Sequence, residues 1–379
     1  MGAHPIEFFA ACTLGLEPAV AAELRELGAT DVDERRGGVA FRGDRRLGYT
    51  ANVWLRSATR VLEELARATV DSVDDLYAAM RALDVGRFCT PAQTLAVFAT
   101  ARDHQLGDPH FLALKVKDAL VDAQRARGGE RSSVDTKDPD VPLKLVVQGP
   151  TASLHRDWSG ESLHKRGWRP IQVKSPLNEA TAAGLILLSD WDRRSPVVDP
   201  MCGGGTFVIE AAMLAAHRAP GLARAFACER FHDHDRRLWK DVRDAARDAA
   251  ESSLPFRLTG ADHHAGALSL ARRGAKAAGI ESLVEFVQAD LASFVPRVPP
   301  AAVFVNPPWG ERLADAGVAQ AWHDLGTFLH DRCPGAVAWV LSGNAELTRH
   351  LRLKKSASRP VACGPIDARW LRYQLRAGT

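Results

Sequence analysis

The chain has 379 residues, 46% of them hydrophobic, which supplies core for two or three domains. Its 49 basic and 46 acidic residues leave a net charge of only +3, so any affinity for nucleic acid has to come from local clusters. Six cysteines, at 12, 89, 202, 228, 333 and 363, form no Cys-x-x-Cys pair, which argues against a zinc site or a disulfide framework and fits a reducing cytosol. No signal-like segment opens the chain and no apolar run reaches bilayer length, so a cytoplasmic protein without a membrane partner is the expectation.

Up to about residue 60 the pattern predicts a short strand, an amphipathic helix over 17–27 and polar turns such as Arg35-Arg36-Gly37-Gly38. Residues 61–156 alternate short apolar strands, such as 94–99, with helices such as 111–125. Residues 157–174 are rich in glycine, serine and basic groups and read as a linker. From Ser175 a strand–helix alternation of α/β type takes over, which predicts that a fragment starting there folds by itself. The stretch 217–255 is longer than an ordinary helix-to-strand connection and is expected to hold extra helices. Near the C-terminus, 371–375 alternates like a final edge strand.

Four strand ends in the second half carry chemistry. Ser195-Pro196-Val197-Val198-Asp199 is a short strand ending in an acid. Pro200-Met201-Cys202-Gly203-Gly204-Gly205-Thr206 and a helical run over 207–214 follow it. Strand, glycine loop and helix form a layout in which backbone can approach a ligand closely and the first helical N–H groups are free. A phosphate loop would need Gly-Lys-Ser/Thr, and no lysine is present; a dinucleotide fingerprint would need a glycine where Val208 stands. A second strand, 258–262, ends in Asp262, suited to a ribose diol, and a third, 284–290, in Asp290, suited to an adenine amino group. The fourth, 301–305, runs into Asn306-Pro307-Pro308-Trp309, where the prolines end the strand because neither can donate to a sheet ladder. That tetrapeptide gathers an amide, two carbonyls and an aromatic ring. The Asn306 side-chain oxygen and the Pro307 carbonyl could accept both hydrogens of an exocyclic amine while Trp309 stacks on its base. The order of acid, glycine loop, acid, acid and amide along one sheet edge matches S-adenosyl-L-methionine-dependent methyltransferases acting on exocyclic amines. Cys202 has no paired base and reads as a small packing residue in the loop.

Several segments carry a narrower resemblance. The run 157–169 (Asp-Trp-Ser-Gly-Glu-Ser-Leu-His-Lys-Arg-Gly-Trp-Arg), the segment 175–180, the loop 199–206 and the stretch 306–313 resemble the THUMP-domain large-subunit (23S) rRNA guanine-N2 methyltransferases. The opening 8–17 and the segments 115–122 and 133–135 are similar to the same family. The resemblance implies a ferredoxin-like region (1–60), a THUMP RNA-binding domain (61–156), a basic linker (157–174) and a Rossmann-like class I methyltransferase domain (175–379). The fold class is thus α/β, preceded by an α+β ferredoxin-like/THUMP region. It implies S-adenosyl-L-methionine held by Pro176, Asp199, Cys202, Gly203, Gly205, Thr206, Asp262 and Asp290. It implies catalysis at Asn306, Pro307, Pro308 and Trp309, RNA as partner, and no metal. Lys115, Lys117, Lys165, Arg166, Trp168 and Arg169 are the expected RNA contacts. The chain departs from the family at Trp309, where tyrosine is commoner, and at His263-His264, where a second acid is common.

Other targets stay open at this point: a guanine N2 in tRNA, an adenine N6 in nucleic acid, or an RNA-binding assembly factor with a relic donor fold. Phe231-His232-Asp233-His234-Asp235 superficially looks like a metal-ligand run but lacks further ligands at the needed spacing, so a solvated loop is expected there.

Overall fold

Two patterns of periodicity become two seven-stranded sheets. The computed structural model describes residues 5–169, 177–310 and 316–377. The first sheet comprises β1 (Ile6–Cys12), β2 (Thr30–Arg35), β3 (Gly38–Gly43), β4 (Ala58–Thr69), β5 (Leu95–Arg102), β6 (Val141–Gln148) and β7 (Thr151–Asp157), in the order β2-β3-β1-β4-β7-β6-β5. β5 and β6 run parallel and the other neighbours antiparallel. Helices α1 (Glu17–Glu26), α2 (Arg45–Trp54), α3 (Val73–Arg81) and α4 (Pro109–Gly128) intervene. Local sequence sets their limits. In α4, Asp108 accepts the N–H groups of His110 and Phe111, Pro109 opens the helix, and Gly129, at φ +76°, ends it.

β4 pairs with β1 through Ala58–Glu63 and with β7 through Leu62–Thr69, so the strand runs unbroken through residue 60. The ferredoxin-like and THUMP pieces consequently share one sheet and one hydrophobic core.

The second sheet comprises β8 (Val197–Asp199), β9 (Leu258–Asp262), β10 (Val284–Gln288), β11 (Ala302–Val305), β12 (Val337–Ser342), β13 (Ala357–Cys363) and β14 (Ile366–Gln374), in the order β10-β9-β8-β11-β12-β14-β13. The first five run parallel, β14 runs antiparallel to them, and β13, paired antiparallel with β14, runs in their direction again. β14 is thus interior, and β13 forms the edge expected of the C-terminal strand. Helices α5 (Glu179–Leu187), α6 (Thr206–Ala215), α7 (Arg236–Asp248), α8 (Ala265–Ala277) and α9 (Ala316–Arg332) connect the strands. Both faces of the sheet are covered: Phe304 of β11 joins one core, and Val303 and Val305 join the other. The chain winds outward from β8 to β10 and then returns to the far side of β8 as β11, which makes a topological switch point between β8 and β11. Among the described residues no helix is long and apolar enough to cross a membrane.

The expected linker is largely interior. Trp158 and Ser159 are fully buried, and the Ser159 hydroxyl donates to Asn52 Oδ1 at 2.6 Å. Arg166 is buried in an ion pair with Glu210 of α6 at 3.4 Å and donates to the carbonyls of Leu163 and Arg56. Trp168, 2% exposed, belongs to the core of the second sheet. These two are therefore corrected from RNA contacts to packing residues, because neither reaches solvent.

The insert between α6 and β9 holds a short 3-10 turn and α7, and it packs onto the first half of the chain through Phe226, Phe231 and Trp239. The run Phe231-His232-Asp233-His234-Asp235 is the docking point and not a solvated loop. Asp233 pairs with Arg45 at 2.8 Å and with Arg156 at 2.9 Å, His234 meets the Tyr49 hydroxyl, and Asp235 caps α7.

Two predictions follow from these contacts. A fragment starting at Ser175 loses Trp168 and Arg166, leaving Glu210 buried without its cation; it should unfold without a cooperative transition in a circular-dichroism melt, and a full-chain-like melt would contradict this. Burial opposes ionisation of Asp233, but hydrogen bonds and charge from Arg156 and Arg45 outweigh it and hold the carboxyl at about 2. A depressed carboxylate stabilises above its unfolded pKa and loses that contribution as pH falls through the folded value. Asp233→Asn should thus cost about 2 kcal/mol near neutrality, with the difference vanishing towards pH 2 in urea titrations.

Candidate active site

The carboxyl ends of β8, β9, β10 and β11 bring most of the expected site residues to one edge. Asp199, the last residue of β8, is 3% exposed, and its Oδ1 accepts the Met201 N–H at 3.1 Å. Burial, reinforced by the charge of Asp262, pushes its carboxyl well above the usual range. The loop that follows is fixed from behind. Cys202 donates its N–H to the Ala261 carbonyl at 2.9 Å, and a Cβ on Gly205 would meet Ala271 at 2.9 Å and Phe286 at 3.0 Å. Gly205 also needs its left-handed φ of +79° to turn into α6. In front, a Cβ on Gly203 or Gly204 would meet nothing within 4 Å among the described residues. No side chain caps α6, so its first N–H groups are available beside this open cradle.

Asp262 ends β9 and works as a clasp: Oδ2 accepts the Gly203 N–H at 2.9 Å and Oδ1 the His264 N–H at 2.8 Å. Two N–H donors leave a carboxylate with free lone pairs, which suit a ribose diol. Asp290 lies two residues beyond β10 and is exposed. Cys202 is buried, and its thiol is pushed well above its ordinary value by burial and by the neighbouring acids, so it stays protonated and packs. Thr206 opens α6, and its Oγ1 receives a hydrogen bond from Arg169 at 2.9 Å. Pro176 lies outside the described residues.

Asn306 follows β11 directly. Its Oδ1 is buried and has no hydrogen-bond partner among the described residues. An unsatisfied buried acceptor costs about 1–3 kcal/mol, so a ligand donor is the natural complement to this oxygen. Among the described residues no N–H donates to the Pro307 carbonyl either. The Pro308 carbonyl, by contrast, is already taken by the indole N–H of Trp322 on α9, at 2.8 Å. Pro308 therefore anchors the loop through its carbonyl. Trp309 donates its indole N–H to the Leu341 carbonyl at 3.2 Å, and its half-buried ring lies against Gly343.

The expected RNA residues divide. Lys115 sits over the Phe111 ring, Lys117 pairs with Asp118, and exposed Lys165 pairs with Glu161. Arg169 is part-buried: it pairs with Glu179 at 3.0 Å and braces Thr206. Sequence reasoning missed that role, and it missed Trp322, whose place in an amphipathic helix gives no signal of a clamp.

Comparison with known proteins fits this geometry. Residues 166–372 match the model of the RMKL-like methyltransferase domain, residues 7–62 that of the RlmL ferredoxin-like domain, and residues 70–155 that of the THUMP domain. The chain belongs to the RMKL-like methyltransferase family. It is 34% identical over 370 residues to slr0064 of Synechocystis sp., provisionally named an RNA methyltransferase, covering 97% of this chain and 96% of the relative. It is 36% identical over 384 residues to the ribosomal RNA large subunit methyltransferase K/L of Syntrophotalea carbinolica, covering 98% of this chain and 54% of the relative, so the chain spans about half of that protein. The crystal structure of SMU.472, a provisionally assigned methyltransferase complexed with SAH, superposes with a TM-score of 0.89 at 26% identity, covering 100% of both chains. The cofactor is S-adenosyl-L-methionine, and the open glycine cradle beside Asp199 and Asp262 suits it.

Asp199 generates a prediction of its own. Between the ordinary carboxylate value of 3.8 and its raised folded value, the unfolded chain has released this proton and the folded chain has not, so stability falls as pH rises through that window. Asp199→Asn keeps the acceptor for the Met201 N–H and removes the penalty. Without cofactor, its Tm should exceed wild type by a few degrees at neutral pH, with a flatter pH profile by scanning calorimetry. A variant less stable than wild type at that pH would overturn the assignment.

Proposed function

We propose that this protein transfers a methyl group to the exocyclic N2 of a guanine in 23S rRNA. The observation that carries the reading is the buried Asn306 Oδ1, without a hydrogen-bond partner among the described residues, next in the chain to a Pro307 carbonyl that no described N–H reaches. A nucleobase amine is a poor nucleophile because its lone pair is delocalised into the ring. Two acceptors on its two hydrogens favour the pyramidal nitrogen that forms as it attacks, and they act most strongly where water is excluded. Trp309, on this reading, lies along the base. A base in a stacked or paired region has to be turned out of its helix before it reaches Asn306.

S-adenosyl-L-methionine, when bound, supplies an electrophilic methyl on a sulfonium. Gly203, Gly205 and Thr206, with Cys202 packed behind them, would hold its methionine portion. The buried Asp199 carboxyl would meet the amino group, Asp262 the ribose and Asp290 the adenine amine. The chain then has to position and desolvate the amine, which accounts for most of the rate in such a displacement. The THUMP domain and the name of the K/L relative support a ribosomal RNA as target.

The test uses the full chain, labelled S-adenosyl-L-methionine, and unmodified 23S rRNA and tRNA, with the product nucleoside identified by mass spectrometry. N2-methylguanosine in 23S rRNA is the expected product. The same nucleoside in tRNA would overturn the substrate, N6-methyladenosine would overturn the base, and donor binding without transfer would favour an RNA-binding factor. Asn306→Ala should lower kcat by about 10²–10³-fold, as removal of one well-placed polar group does elsewhere, with calorimetric donor affinity unchanged. Turnover near wild type would refute the amine-holding role.

A further inference from the structure

Alternation along β5 and β6 turns Leu95, Val97 and Leu143 towards the core, and Phe98 and Lys144 to the opposite face. The parallel register sets Phe98 directly beside Lys144, and Lys144 lies opposite His155 of β7. Phe98 is 37% exposed, among the few large apolar side chains left open to solvent, and the Lys144 ammonium lies 4.6 Å from its ring centroid. His155 closes the row as an apolar-like neighbour, since burial lowers its imidazole to about 4 and keeps it neutral.

This sheet face is one wall of a cleft of about 1120 Å³. The other walls are the loop bearing Lys137, the segment bearing Lys165, and the insert, whose Arg224 donates to the main-chain carbonyls of Ser159, Glu161, Ser162 and Lys165. At the catalytic end the cleft reaches Glu179, the partner of the arginine that braces Thr206 beside the glycine loop. Seven lysines and arginines besides the buried Arg166 line it against five aspartates and glutamates. Most of those acids are already spent: Asp157 on Arg60, Asp138 on Arg230, Glu161 on Lys165 and Glu179 on Arg169. Lys137 and Lys144, however, have no carboxylate of a described residue within 4 Å. A chain whose overall charge is only +3 thus leaves two cations without a described carboxylate partner in the cleft, one of them against its exposed aromatic ring.

We propose that this cleft holds a single-stranded segment of the substrate RNA, with one base stacked on Phe98 and phosphates neutralised by Lys144 and Lys137. The proposal rests on the RNA reading above and specifies where the strand lies. Stacking on an open sheet face is a recurrent route to single-strand recognition, and the paired bases of an A-form duplex are not available for it. The size agrees, since pockets for one small molecule run to roughly 300–1,000 Å³. A free cation beside the ring also suits the alternation of base and phosphate along a strand better than it suits an apolar peptide.

The test is fluorescence anisotropy of the full chain with a labelled eight-nucleotide single-stranded RNA and with a hairpin duplex, over a range of salt concentrations. Phe98→Leu keeps an apolar side chain but removes the ring, and should weaken single-strand binding by roughly tenfold. Phe98→Tyr should restore it. Lys144→Gln should lower the salt-dependence slope by about 0.7, the value for one phosphate contact on a single strand. Donor affinity, measured by calorimetry, should not change in any of the three, which reports an intact fold. Single-strand affinity unchanged in Phe98→Leu, or an equal loss on the duplex, would overturn the cleft assignment. Oligonucleotide binding is read without methyl transfer, so a wrong target nucleotide would leave these results standing.

Discussion

The buried pair between Arg166 and Glu210 is the constraint on which the arrangement depends. Both side chains are nearly inaccessible, at 1% and 0% exposure. Removing two charges from water costs several kcal/mol per ion, and it is tolerated only when the remaining donors and acceptors find partners. Arg166 meets that requirement through the carbonyls of Leu163 and Arg56, one from its own segment and one from the N-terminal half, whereas Glu210 Oε2 has no hydrogen-bond partner among the described residues and makes the pair the costlier to break. Glu210 belongs to α6, the helix that begins at the glycine loop. One guanidinium thus joins the N-terminal half, the connecting segment and the helix that begins at the glycine loop. Arg169 repeats the pattern on a smaller scale, between Glu179 of α5 and Thr206. The half that would select RNA and the loop that would hold the donor are therefore coupled through rigid contacts.

The site itself is left partly unsatisfied. Among the described residues, Asn306 Oδ1 has no partner, the Pro307 carbonyl receives no donor, and the buried Asp199 has no cation paired with it. Each feature opposes folding slightly. All three lie at the carboxyl edge around the β8–β11 switch point, where the topology leaves room for a ligand. Their surroundings are well satisfied: Trp322 anchors Pro308, Trp309 is tied to Leu341, and Asp262 holds the loop at Gly203. Firm support around unmet acceptors is the arrangement expected where geometry has to be preset for a ligand.

How much of this was legible in the sequence depended on whether a residue's role is local. The strand ends were readable because a strand, its terminal acid and its turn chemistry all lie within ten residues of one another. Asp199, Asp262, Asp290 and Asn306 accordingly fall on one sheet edge in the order expected. The segment 157–169 was misread because its composition is that of a linker. Glycine, serine and arginine signal solvent exposure until partners far along the chain, such as Asn52 and Glu210, absorb their polar groups. The boundary at residue 60 was obscured for the opposite reason, since one long strand serves two sheet neighbours and no local signal marks the change.

The insert shows the same logic from the other side. Its sequence, with two histidines between acids, invites a ligand reading. Its structure uses those groups to fasten one half of the molecule to the other: Asp233 is gripped by two arginines, and Trp239 enters the first core. Arg224 then spans back to the carbonyls of the connecting segment, where a local turn alone would leave those groups unpaired. A piece that interrupts the catalytic domain is thereby the part that orients the RNA-binding half against it. On the proposed reading such an arrangement would fix the direction from which a strand approaches Asn306, through polar contacts whose directionality resists sliding more than apolar packing would.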